Sequence, residues 1–119
     1  IFKYNGSTWS QEAKLVASDK AASDYFGISV SINADGTKVV IGAYNANPDG
    51  ISDAGAAYIF KYNGSAWSQE AKLVASDKVA SDYFGYSVSI NADGTKVVIG
   101  AINADPDGIV TAGAAYIFK

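Results

Sequence analysis

Tyr25-Phe26-Gly27-Ile28-Ser29-Val30-Ser31-Ile32-Asn33-Ala34-Asp35-Gly36-Thr37-Lys38-Val39-Val40-Ile41-Gly42-Ala43 carries the pattern that decides the fold. After Gly27, apolar and small polar residues alternate, which places Ile28, Val30 and Ile32 on one face of a strand and serines on the other. Asp35-Gly36 then supplies a hairpin turn, because Gly accepts the positive φ that a tight turn demands. The β-branched run from Thr37 to Ala43 is the returning strand.

Downstream, a polar connection from Tyr44 to Gly55 leads to Ala56-Ala57-Tyr58-Ile59-Phe60-Lys61-Tyr62, where Ala56, Tyr58, Phe60 and Tyr62 share a face. Asn63-Gly64 marks another hairpin turn. A fourth strand, Trp67 to Ala75, is expected to place Trp67, Ala71, Leu73 and Ala75 on one face and Ser68, Glu70 and Lys72 on the other. Its charges suit a sheet edge. Gln69 to Ala75 also contains good helix formers, but three neighbouring strands in need of a fourth decide for strand. Four antiparallel strands per unit make a propeller blade.

The unit recurs. Residues 1–58 return as 59–116 with seven differences (Thr8/Ala66, Ala21/Val79, Ile28/Tyr86, Tyr44/Ile102, Asn47/Asp105, Ser52/Val110, Asp53/Thr111), and 117–119 open a third copy. Such a period, full of strand and turn signals, indicates a propeller or array. The expected fold is all-β, with propeller-type four-stranded antiparallel blades, about two repeats, circularly permuted relative to the sequence unit and open-ended. Read from Ile1, the strands fall as the last two of one blade, one whole blade and the first three of another. Two blades cannot close a ring, so self-association through the open blade edges, or further repeats in a longer chain, is expected. The lack of Met, and ends that fall inside strand patterns, fit an excerpt or a protomer.

A formal net charge of −3, with no Arg, leaves no basic face for a phosphate backbone, so no nucleic acid partner is expected. Without His or Cys the chain also lacks the side chain that titrates near neutrality, thiolate nucleophiles and soft metal ligands. No apolar run approaches spanning length, so membrane insertion is not expected.

Phe26-Gly27 followed by Ile41-Gly42-Ala43-Tyr44, and Phe84-Gly85 followed by Ile99-Gly100-Ala101-Ile102, resemble the FG-GAP repeat, the blade unit of integrin α-subunit propellers and of many prokaryotic surface proteins. The resemblance covers the whole chain, including Trp-Ser-Gln-x-Ala-Lys-Leu-x-Ala-Ser-Asp and Gly-Ala-Ala-Tyr-Ile-Phe. It departs at the third letter of GAP, which is Tyr44 or Ile102. It implies an extracellular or cell-surface protein. The glycines suit blades whose inner strands approach closely, and Trp9, Trp67, Tyr58 and Phe60 are read as inter-blade core rather than a sugar-stacking platform.

Integrin-type blades hold calcium in a loop spaced Asp-x-Asp-x-Asp-Gly-x-x-Asp between their first two strands, where this chain has only Asn33-Ala34-Asp35-Gly36. One connection later the spacing reappears as Asn45, Asn47, Asp49, Ile51 and Asp53, repeated as Asn103, Asp105, Asp107, Ile109 and Thr111. Calcium takes six to eight oxygens, so a weak calcium site is one reading. Asn-Pro-Asp-Gly as a plain β-turn is the other. Asp19 with Asp24, and their copies Asp77 with Asp82, are a remote candidate for a glycosidase carboxylate pair and read more simply as solvated loop residues.

No constellation for catalysis emerges, and a non-enzymatic structural or adhesive module with a protein or glycan ligand fits best. A lectin-like glycan-binding propeller and an engineered repeat scaffold are the alternatives.

Overall fold

The computed structural model describes residues 1–119, which form three antiparallel sheets in chain order. β1 (Phe2–Tyr4) pairs with β2 (Trp9–Gln11). β3 (Ser29–Ile32), β4 (Lys38–Ala43), β5 (Ala56–Tyr62) and β6 (Trp67–Leu73) make a four-stranded meander, and β7 (Phe84–Ile90), β8 (Val97–Ala101) and β9 (Ala114–Phe118) a three-stranded one. There is no α-helix. The two-four-three division is the expected open-ended arrangement, with the four-stranded and three-stranded blades each crossing a boundary between copies of the sequence unit. At the β3–β4 turn, Asn33 Oδ1 accepts hydrogen bonds from the amides of Thr37 and Lys38, which explains why an Asn opens that turn.

Two apolar layers separate the sheets. Val40, Ala57, Ile59 and Ala75 of the complete blade pack against Phe84, Val97, Ile99 and Ala101 of the next. On the opposite face, Val39, Ile41, Tyr58 and Phe60 meet Ala17, Leu15 and Ile1 of the first. Sequence identity makes each layer a control for the other. Phe84 is 0% exposed while its copy Phe26 is half-buried, and Val30 and Ile32 are 67% and 52% exposed while Val88 and Ile90 are half-buried. The first blade has only its last two strands, so an open groove of about 550 Å³ remains over Ile1, Leu15, Phe26, Val30 and Ile41.

The serines opposite those apolar residues do not face solvent alone. Ser29 Oγ donates to the Gly85 carbonyl at 3.0 Å, and Ser31 Oγ accepts the Ile90 amide at 3.2 Å, so the inner strands of adjacent blades are bonded side by side. Backbones come close enough there that a Cβ on Gly42 would collide with the Gly85 carbonyl, and one on Gly85 with the Ala56 carbonyl. The paired glycines of the repeat therefore touch each other across the blade interface.

One face assignment needs correction. Ile59 pairs with Ala71 but Phe60 pairs with Gln69, so Glu70 is an extra residue in a β-bulge. The bulge reverses the alternation within β6. Ala71 and Leu73 pack toward the three-stranded blade, whereas Trp67 packs toward the first blade, 5.4 Å from the Tyr62 ring. Trp9 is 68% exposed here, while Tyr58 and Phe60 are buried as expected.

Candidate functional site

The complete blade has two unlike ends. Tight hairpin turns lie at one, and the long connections 44–55 and 74–83 lie at the other, because β4 ends where β5, β7 and their connections begin. These connections interlock across blades. The Ser81 amide donates to the Ser52 carbonyl at 2.9 Å, the Tyr83 amide to the Asp53 carbonyl at 3.2 Å, and Lys78 Nζ lies 3.1 Å from Asp49. The loop end is thus a braced surface rather than two independent loops.

Within the first candidate calcium loop, the Pro48–Gly50 turn is closed by the Gly50 amide on the Asn47 carbonyl at 3.1 Å. Asn47 Oδ1 already accepts the Asp53 amide at 2.7 Å, and the Asp49 carboxylate faces Lys78. Asn45 Oδ1 is buried without a hydrogen-bond partner. The second loop repeats the arrangement, with the Asp105 carboxylate accepting the Thr111 amide. Asp49 and Asp107 adopt φ 54°, and no three acidic side chains converge. Of these side-chain oxygens, those of Asn47 and Asp105 are taken by the loop's own amides, and a cation at Asp49 would compete with Lys78. Ile51 and Ile109 follow the turns as extended residues.

The remaining acidic residues have structural partners. Tyr58 Oη donates to Asp19 and Tyr116 Oη to Asp77, each at 2.8 Å, and Lys72 pairs with Asp19. Asp24 and Asp82 accept the amides of Ala21 and Val79, each at 2.9 Å, and so brace turns. Burial, then the hydrogen bond and charge of Asp77, push the Tyr116 phenol up to about 12; burial and Asp19 raise Tyr58 in the same direction. An unfolded tyrosine ionises near pH 10, so the stability contributed by a neutral Tyr116 is complete below about pH 10 and lost as pH rises through 12. The melting temperature should fall across that interval, and fall less in Tyr116→Phe, which has no phenol to ionise.

Sequence reasoning missed the most distinctive surface of the loop end. Tyr44 stands among three other tyrosines: its ring centroid is 5.6 Å from Tyr25 in a stacked geometry, and 5.2 and 5.3 Å from Tyr83 and Tyr86 edge-on. Tyr25 is 56% and Tyr86 42% exposed. Tyr25 and Tyr83 adopt φ 53° and 59°, left-handed conformations that a ring-bearing residue adopts at some cost. Desolvation first, then Tyr25, Tyr86, Tyr83 and Asp53, raises the Tyr44 phenol. The signal was present in the sequence: Tyr44/Ile102 and Ile28/Tyr86 are two of the seven differences between copies, and both tyrosines fall here.

The family model for the FG-GAP repeat matches residues 9–60 and again residues 67–118. No curated protein matches the chain.

Proposed function

The chain belongs to the FG-GAP repeat family, and on that premise we propose that it is a non-enzymatic structural and adhesive module of an extracellular or cell-surface protein, presenting its loop end to a partner. The observation that carries this reading is the tyrosine cluster on braced loops. Rings with two torsions lose little freedom on contact, and a fixed aromatic surface suits recognition more than packing alone. Surface display is supported by the family, in which such repeats are typical of extracellular proteins.

A second reading, a glycan-binding propeller, is favoured by the parallel Tyr25–Tyr44 pair with Asp53 close by, since a pyranose ring stacks on aromatic faces while acids and amides take its hydroxyls. Binding of the purified chain to a glycan array and to a panel of immobilised extracellular proteins separates the two. Removing the exposed rings in Tyr25→Ala and Tyr86→Ala should weaken retention about tenfold each, the effect of losing about 1.4 kcal/mol. Retention on sugars alone selects the second reading. No retention on either surface, or retention indifferent to both substitutions, contradicts a recognition role for this end.

A further inference from the structure

We propose that Asn63 is an acceptor for N-linked sugar, with its copy Asn5 as a second acceptor, so that the hairpin end of the module is its glycosylated end. The inference rests on the extracellular reading above, because this modification belongs to secreted and surface chains. Asn63-Gly64-Ser65 and Asn5-Gly6-Ser7 are Asn-x-Ser triplets whose middle residue is not Pro. None of the other asparagines, Asn33, Asn45, Asn47, Asn91 and Asn103, has Ser or Thr two residues on. Such a triplet is a common pattern, and the geometry around Asn63 is what makes it a site.

Asn63 opens the turn between β5 and β6 of the complete blade, which has another blade packed on each of its faces, and Asn63, Gly64, Ser65 and Ala66 are exposed even so. Its Oδ1 accepts the amides of Ser65 and Ala66 at 2.9 and 2.8 Å, so the carboxamide oxygen is turned into the hairpin. At Asn5 the oxygen bonds the amides of Ser7 and Thr8 in the same way, and Nδ2 also donates to Thr8 Oγ1 at 3.3 Å. Ala66 replaces that hydroxyl in the later copy, so the Asn63 nitrogen is left without this partner. A Cβ built on Gly64 meets nothing within 4 Å, so the space beside the acceptor is open.

In the transfer, Asn63 Nδ2 forms a bond to the anomeric carbon of a sugar carried as a lipid-linked glycosyl diphosphate. The bond from that carbon to the diphosphate oxygen breaks, the diphosphate leaves with the electron pair, and one Nδ2 proton passes to a basic group of the transferase. The sugar then stands beyond the turn, where it displaces no packed side chain. It also lies beside β6, the outer edge of the complete blade, where a bulky polar group discourages strand-to-strand pairing. The loop end, with Tyr25, Tyr44, Tyr83 and Tyr86, is at the other end of the strands and stays uncovered.

The test is peptide mass mapping of the protein recovered from the cells that make it, with surface location read separately by labelling intact cells with a membrane-impermeant amine reagent. The peptides holding Asn63 and Asn5 should carry added sugar mass that a peptide N-glycosidase removes, leaving Asp. Asn63→Gln and Ser65→Ala should each abolish the added mass at residue 63 and leave it at Asn5, whereas Ser65→Thr should retain both. Ser65→Ala keeps the Asn63 side chain and the residue-65 amide that close the turn, so it separates loss of the acceptor pattern from loss of the fold. Surface-labelled protein with an unmodified Asn63 peptide overturns the proposal and leaves the extracellular reading in place, and an unmodified Asn5 peptide removes the second site. The small mass gain of Asn becoming Asp without any sugar, the hydrolysis to which an Asn-Gly pair is prone, counts as unmodified. Sugar that persists at Asn63 in Ser65→Ala also overturns the assignment. Protein that intact cells do not expose to the reagent overturns the extracellular reading itself.

Discussion

Phe84→Ala should lower stability by about 3–5 kcal/mol, the range for truncating a buried aromatic. Phe84 is 0% exposed and lies edge-on to Tyr116 and Phe118, at 5.4 and 6.0 Å between centroids. Phe26 has the same sequence neighbours and the same edge-on pair, Tyr58 and Phe60 at 5.6 and 6.1 Å, yet it is half-buried beside the groove. Phe26→Ala should therefore cost less, about 1–2 kcal/mol, because less ring surface returns to water. Urea denaturation of the two variants measures the difference. Equal losses would mean that the blades do not stack as described.

Gly85→Ala should be as damaging, for a different reason. Gly85 has φ 93°, and a Cβ there meets the Ala56 carbonyl and comes 3.2 Å from the Ala43 amide, backbone atoms that cannot rotate away. Left-handed strain and overpacking add to about 3–5 kcal/mol. Its copy Gly27 has φ 96° with nothing within 4 Å of a built Cβ, so Gly27→Ala carries only the conformational cost of about 1–2 kcal/mol. The comparison isolates blade contact from backbone conformation. Melting temperatures of both variants, taken at a concentration low enough to keep the chain monomeric, provide it.

Hairpins were the most legible part of the fold, because the pairs Val30–Ile41 and Tyr62–Trp67 follow from alternation and from Asp-Gly and Asn-Gly turns that act locally. The bulge at Glu70 was not legible, since strand alternation alone cannot show where one extra residue is inserted, and everything before it changes face. Burial was legible in kind but not in degree. Phe26 and Phe84 read alike, and only the presence or absence of a neighbouring blade distinguishes them. At the loop end, the Asn-Pro-Asp-Gly turn was readable from its residues. The partners Asp53 and Lys78 were not, because one bends back from six residues away and the other comes from the following blade. Tyrosines distributed over residues 25, 44, 83 and 86 likewise become one surface only when two blades stand side by side.

The central claim is that blades are assembled across the repeat boundary, so that three copies of one tripeptide occupy three different positions. Ile59-Phe60-Lys61 lies in β5 between two strands, Ile1-Phe2-Lys3 at an edge lacking its inner neighbour, and Ile117-Phe118-Lys119 at an edge lacking its outer one. Amide hydrogen exchange of the monomer compares the Phe and Lys amides of each copy. Protection should be greatest at Ile59–Lys61, approaching the global stability, with faster exchange at both edge copies. Equal protection in the three copies, or greatest protection at either terminus, would contradict the two-four-three division of the sheets.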